Sequence, residues 1–294
     1  PEATSKKSKK LSRDAAQSQT RLYYHSLLAY HQPYLTDKAE TMLGITIAPL
    51  DLLSDHVSDS GPRFIGPAST DKMKKFVEDN GTWDKPILLP IREDDEEHPN
   101  NLEGKLGTES IKYYKGFHML NALEVFARTP YIEQDSHNFD WFNPDWKSAI
   151  VGWSKIQDTD SKDMDPWSLQ RIFESTVPDR PHTHAFVNHV IQLENDKLTT
   201  GEMAAATGII SSQRCFRGFN HHRYIPATIF SASFRDFRIV QVWHDRESPN
   251  ALHVRRSPIL DFMQGKEAKR DDWVTLLCWF MGEQLETTMP SQVS

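Results

Sequence analysis

Arginine and histidine side chains are concentrated in one stretch of the sequence, and both types of side chain can do chemistry. Between residues 214 and 256 there are eight arginines and four histidines but only three acidic residues. The planar guanidinium group forms paired hydrogen bonds with phosphate and carboxylate groups. The stretch therefore predicts an arginine-rich surface that binds nucleic acid. Its candidate residues are Arg214, Arg217, Arg223, Arg235, Arg238, Arg255 and Arg256. The alternative is that these arginines pair with the acidic residues of the N-terminal half.

Histidines form a second candidate site. His182, His184 and His189 lie close together in the sequence, and the first two share a face if the segment is extended. A His-x-His pair binds zinc or iron when a third ligand and an acidic residue lie nearby. The segment Asn220-His221-His222 supplies a possible third ligand.

The spacing of apolar residues predicts the elements that position these side chains. Residues 185–194 alternate as in a strand, and Thr199 or Thr200 begins a helix that runs to about residue 219. Two apolar runs, 227–232 and 238–243, predict strands joined by a tight turn. Asp271 and Asp272 then begin a last helix, because the helix dipole stabilises carboxylates at a helix N-terminus. We expect a strand, a helix, two strands and a closing helix.

The N-terminal part of the chain is predicted to be mainly helical. Apolar spacing and proline positions place helices at 13–34, 69–79, 109–128, 144–156 and 166–176. Residues 1–12 are rich in lysine and predict either a mobile basic arm or a solvated start to the first helix. The acidic run 93–97 predicts a solvated loop without a catalytic role. We therefore divide the chain into an arm (1–12), a helical part (13–177) and an α/β core (178–294).

Composition limits the class of protein. The net charge of -7 argues against a surface that is basic throughout. Two cysteines, Cys215 and Cys278, do not support a disulfide framework. Without a long apolar run or the apolar core of a signal peptide, we expect an intracellular protein, cytoplasmic or nuclear, with no membrane partner. The sequence contains no GxGxxG, P-loop or GxSxG motif, which lowers the expectation of dinucleotide enzymes, NTPases and α/β-hydrolases.

The order of elements after residue 178 resembles the core of PD-(D/E)XK restriction-endonuclease-like proteins, including degenerate nuclease-like domains that are common in fungi. The resemblance covers residues 178–286 and rests on Pro178-Asp179, Gln192-Leu193-Glu194, the helical Gln213, and strands that end in Ser231 and Asp245. It implies an α/β fold with a mixed central sheet flanked by helices, and a mainly helical N-terminal elaboration.

The resemblance also implies a site. In that family two acidic residues bind a divalent metal, usually Mg²⁺, and a lysine two residues after the second acid helps to activate water. Asp179 matches the first acid, while Gln192 and Glu194 occupy the positions of the second acid and the lysine, and Lys197 is a possible substitute for that lysine. The candidate catalytic residues are Asp179, Gln192, Glu194, Gln213 and Lys197, with Asp179 and Glu194 as metal ligands. Because glutamate cannot supply a positive charge, we expect binding of DNA or RNA with doubtful cleavage, and Mg²⁺ only if the nuclease is active.

Two other functions stay open. Some fungal tRNA-dependent synthases of secondary metabolism are similar to this degenerate fold, which implies a biosynthetic enzyme using aminoacyl-tRNA, as cyclodipeptide synthases do, or a small molecule. Such an enzyme should have a deep pocket. A non-catalytic interaction module should instead expose a large apolar patch.

Overall fold

A computed structural model describes residues 2–53, 61–79, 108–127, 145–148, 167–264 and 269–289. The acidic run 93–97 and most of the predicted helix 144–156 lie outside these residues. The helices are α1 (Glu2–Leu28), α2 (Asp37–Met42), α3 (Thr70–Asp79), α4 (Thr108–Phe126), α5 (Thr200–Cys215) and α6 (Arg270–Phe280). The strands are β1 (Ile45–Pro49), β2 (Ile65–Gly66), β3 (Trp146–Ser148), β4 (Trp167–Ser175), β5 (Thr183–His189), β6 (Tyr224–Ser233), β7 (Asp236–Asp245), β8 (Leu252–Arg256), β9 (Leu260–Asp261) and β10 (Glu283–Gln284).

A mixed sheet of eight strands forms the centre of the molecule. Its order is β1-β8-β7-β6-β5-β4-β3, and β9 pairs with the start of β7. The pairs β1–β8 and β5–β6 are parallel, and the other pairs are antiparallel. Helix α5 connects β5 to β6, which is the crossover that parallel strands need. The predicted α/β class, with a mixed sheet flanked by helices, is confirmed.

Helices cover both faces of this sheet. Helix α5 packs on one face, with α1 outside it, while α4 and α6 cover the other face. The consecutive alanines 204–206 of α5 are fully buried, and a Cβ atom on Gly201 would lie 2.4 Å from the Trp167 ring. Small residues therefore let α5 lie directly on the sheet. The helix begins with a capping box, in which the Thr199 and Glu202 side chains each accept a hydrogen bond from the other's backbone N–H.

The sheet includes strands from both predicted parts of the chain. Strands β1, β3 and β4 come from before residue 178. Strand β1 pairs with β8, and β4 pairs with both β3 and β5. The two parts therefore share one sheet. The lysine-rich residues 2–12 belong to helix α1. They therefore form the start of the first helix, which was one of the two predictions for that segment.

Three local predictions were wrong. Residues 167–175 form strand β4 rather than a helix, and 146–148 form β3 within the predicted helix 144–156. Pro166 suggested a helix start, but proline also fits just before a strand, and pairing of β4 with β3 and β5 decided the conformation. Strand β5 ends at His189 instead of Glu194, because the chain then turns to enter α5.

Membrane insertion through a helix finds no support in the described part of the chain, where every helix is too short or too polar to span a bilayer.

Candidate metal site

The nuclease-like pair of metal ligands does not come together. Asp179 lies in the turn before β5, whereas Glu194 lies five residues after the end of that strand. A strand of seven residues spans about 20 Å. Asp179 and Glu194 therefore lie at opposite ends of β5, and a shared Mg²⁺ between them does not fit this structure.

The other nuclease-like candidates are divided between the same two ends. Gln192, Glu194 and Lys197 lie beyond β5, in the connection to α5, so the alternation expected of a strand does not hold for them. Lys197 Nζ lies 2.6 Å from Glu194 Oε2 and forms a local ion pair. Gln213 lies near the end of α5, and its side-chain amide donates to Thr183 Oγ1 at 2.9 Å. Only Gln213 is thus at the Asp179 end of the strand.

Four of the seven candidate arginines are buried. Arg214, Arg238 and Arg255 expose 1% of their surface or less, and Arg235 exposes 7%. Arg214 donates three hydrogen bonds to the carbonyl groups of His222, Arg223 and His244. Arg238 and Arg255 lie on strands inside the sheet, and Arg235, in the turn between β6 and β7, donates to the Met263 carbonyl. An arginine-rich surface therefore cannot include these four side chains.

Two further candidates are used in ion pairs. Arg217 Nη2 lies 3.1 Å from Glu174 Oε1. Arg223 contacts both carboxylate oxygens of Asp245 and also pairs with Glu247 at 2.9 Å. The alternative prediction paired these arginines with acidic residues of the N-terminal half. The partners observed for them are instead backbone carbonyl groups and acids later in the chain, such as Glu174, Glu202 and Asp245.

The structure brings together Asp179, His221 and His222, which we call the Asp-His-His cluster. Their ligand atoms all lie within 4.8 Å of one another. Asp179 Oδ1 lies 2.8 Å from His221 Nε2 and 3.1 Å from His222 Nε2. Asp179 belongs to the turn between β4 and β5, and the histidines belong to the short 3-10 helix Phe219–His221 and the residue after it. The cluster forms because β5 and β6 are parallel neighbours, so the loops before them meet at one edge of the sheet.

The second nitrogen of each histidine is oriented by another group. Gly218, which has a φ of +86°, presents its carbonyl oxygen 3.1 Å from His221 Nδ1. His222 Nδ1 lies 3.0 Å from Thr288 Oγ1. A carbonyl only accepts hydrogen bonds, so His221 Nδ1 carries the proton in this contact. In a neutral His221 the lone pair of Nε2 then faces the Asp179 carboxylate, which repels it unless a cation lies between them.

Comparison with protein-family models, with curated proteins and with solved structures finds no match to this chain. The function of the Asp-His-His cluster is therefore inferred from its geometry.

Asp179 also has an uncommon backbone conformation, which Phe234 shares. Its φ of +59° lies in the left-handed region, which glycine adopts routinely and aspartate only occasionally. The next residue is fixed by its own contacts, since Arg180 donates to the Gln284 carbonyl and pairs with Glu286 at 2.7 Å. Such conformations occur preferentially at functional sites.

Electrostatics favour the ligand forms of the cluster. Hydrogen bonding to His222 is the main reason that the pKa of Asp179 lies below its ordinary value, which favours the ionised carboxylate, and a bound metal would take the place of the proton on His222 Nε2 in this contact. Burial is the main cause that lowers the pKa of His222, which favours the neutral ring. The His222 side chain is fully buried, whereas 56% of the Asp179 side chain is exposed. The cluster is therefore anchored in the protein on one side and open to water on the other.

The sequence named all three residues but not their combination. Asp179 was assigned to a pair with Glu194, and His221-His222 to a site with His182 and His184. The structure instead buries His184 against the Trp146 ring, with 3.8 Å between ring centroids, and places His182 in the same core. His189 contacts Ser231 at 3.0 Å on the opposite face.

Proposed function

We propose that this chain is a zinc-dependent protein of the hydrolytic type, with Asp179, His221 and His222 as the three protein ligands. Catalytic zinc sites use three side chains, commonly two histidines and a carboxylate, and keep a further position for water. Zinc lowers the pKa of that water to about 7, so it supplies a nucleophile for hydrolysis at neutral pH.

One observation carries the proposal: a single carboxylate oxygen faces the Nε2 atoms of two histidines whose Nδ1 atoms are held by other groups. Histidines that bind metal regularly donate their other ring N–H to a carbonyl or another acceptor. Ligand atoms at 2.0–2.1 Å from a tetrahedral zinc lie roughly 3.3 Å apart. The observed contacts of 2.8 and 3.1 Å approach that spacing, and small side-chain rotations complete it.

The donor types favour zinc over the Mg²⁺ that the nuclease resemblance implies. Imidazole nitrogen suits zinc, copper, iron and nickel, whereas Mg²⁺ takes oxygen ligands almost exclusively. Two of the three donors in the cluster are imidazole nitrogens.

Calorimetric titration of the metal-free protein with Zn²⁺ tests the proposal. We expect one ion per chain, and we expect Asp179→Ala, His221→Ala and His222→Ala each to weaken binding at least about 100-fold, since even outer partners of metal ligands contribute about 10- to 100-fold. His31→Ala, which changes an exposed histidine away from the cluster, is the matched control and should bind as the unaltered chain does.

The competing explanation of the geometry is a doubly protonated His221 paired with Asp179. It predicts no stoichiometric zinc binding, and that result would refute the proposed function. Equal affinities for the three variants and the control would refute it as well, because the ion would then bind elsewhere.

The restriction-endonuclease-like core, nucleic-acid binding and the tRNA-dependent alternative stay predictions from the sequence. Most of the arginines on which nucleic-acid binding was based are engaged within the protein.

A further inference from the structure

Arg256 differs from the other seven arginines between residues 214 and 256. In the described part of the chain, each of those seven donates a hydrogen bond or forms an ion pair. Arg256 does neither with its side chain, and its Nη1 atom is buried without a hydrogen-bond partner among the described residues. A half-buried guanidinium group without an acceptor is unfavourable, so an acceptor from outside the described protein atoms would stabilise it.

Arg256 lines a cavity of about 470 Å³. The cavity lies where the parallel strands β1 and β8 end, and Pro49, Asn195 and Ser257 also line it. Ligands of open α/β sheets commonly bind outside the carboxyl ends of parallel strands. The volume is in the range of small-molecule sites.

The charges around Arg256 leave its own charge poorly compensated. Burial is the largest cause that lowers its pKa, followed by the charge of Arg238. Glu202, Glu40 and Asp196 act in the opposite direction. Glu202 is already engaged by Arg238 at 2.5 Å, and the pKa of Glu40 is itself raised, mainly by burial. None of these acids forms an ion pair with Arg256 in the described structure.

Asn195 offers a second donor in the same cavity. Its Oδ1 accepts a hydrogen bond from the Ile259 backbone N–H at 2.9 Å, which fixes the orientation of the side-chain amide. The NH₂ group on the other side of that amide is then available as a donor. Ser257 does not add one, because its hydroxyl donates to the Pro258 carbonyl and accepts from the Ile239 N–H.

We propose that this cavity binds the oxyanion group of a small molecule, a phosphate or a carboxylate, through the guanidinium group of Arg256 and the side-chain amide of Asn195. The site is separate from the Asp-His-His cluster, since β8 and β6 run in the same direction and the cluster lies before the start of β6 while the cavity lies at the end of β8. It therefore does not depend on metal binding.

Titration with inorganic phosphate and with acetate tests the proposal, with binding measured by calorimetry and by the shift in melting temperature. We expect at least one anion to bind the unaltered chain, and Arg256→Gln to weaken that binding at least 10-fold. Asn195→Ala should weaken it to a smaller extent. Binding of phosphate alone indicates a phosphorylated ligand, and binding of acetate alone indicates a carboxylate.

Arg270→Gln is the matched control, because Arg270 forms an exposed ion pair with Glu78 and lies away from the cavity. Arg256→Lys keeps the charge and should retain part of the affinity, which keeps the test informative if Arg256→Gln does not fold. The proposal is overturned if neither anion binds, or if the Arg256 and Asn195 variants bind both anions as the control does. If neither anion binds, the charge of Arg256 only compensates the charges of Glu40 and the neighbouring acids.

Discussion

At the scale of single residues, buried histidines determine how the protein should respond to acid. Burial lowers the pKa of His182 to about 3, of His189 to about 4 and of His244 to about 3. The same cause puts the pKa of His184 well below its ordinary value. Desolvation disfavours the imidazolium form, so these side chains are neutral in the folded protein.

This burial predicts acid destabilisation. As pH falls below 6.5, the unfolded chain takes up protons at these histidines before the folded chain does, so the stability they contribute is present above pH 6.5 and is lost between pH 6.5 and about 3. One pKa unit corresponds to about 1.4 kcal/mol, and we expect the free energy of unfolding to fall by at least about 2 kcal/mol between pH 7 and pH 5. Urea denaturation at each pH measures this change in the free energy of unfolding. His189→Gln should reduce the dependence, and an equal free energy at both pH values would contradict the interpretation.

At the scale of elements, one buried ion pair joins helix α5 to strand β7. Glu202 completes the capping box of α5, and both of its carboxylate oxygens accept from Arg238, at 2.7 and 2.5 Å. Burial on its own would raise the pKa of Glu202, but the charge and hydrogen bonds of Arg238 outweigh it and lower the pKa to about 2. The pair therefore fixes the position of α5 on the sheet.

Removing one partner should be costly. Glu202→Gln leaves the Arg238 charge buried without a counter-charge, and we expect a loss of about 3 to 5 kcal/mol in the free energy of unfolding, measured by urea denaturation. The double variant Glu202→Leu with Arg238→Met should lose less free energy of unfolding than the sum of the losses in the single variants Glu202→Leu and Arg238→Met. A loss below about 1 kcal/mol for Glu202→Gln would show that the pair does not hold the helix in place.

Elements with strong local signals were predictable. Helix α5 has a capping threonine and a run of small residues, and β6 and β7 are apolar runs separated by a short turn. Strands β3 and β4 were missed because their conformation depends on partners elsewhere in the chain. The segment 167–175 becomes a strand by pairing with β5 on one side and β3 on the other.

At the scale of the whole molecule, the order of strands decides which residues meet. Asp179 and His222 are 43 residues apart, and they meet only because β5 and β6 are adjacent and parallel. The same order makes β7 and β8 interior, which buries Arg238 and Arg255. Local patterns contain the residue types and the elements but not this order, so the sequence pointed to Asp179, His221 and His222 without joining them.

A crystal structure of the protein soaked with Zn²⁺, with anomalous diffraction recorded at the zinc edge, tests the central claim most directly. We expect one strong anomalous peak about 2.0 to 2.2 Å from His221 Nε2, His222 Nε2 and an Asp179 carboxylate oxygen, with water in the remaining position. The absence of a peak at the cluster, or a single strong peak elsewhere on the chain, would contradict the account.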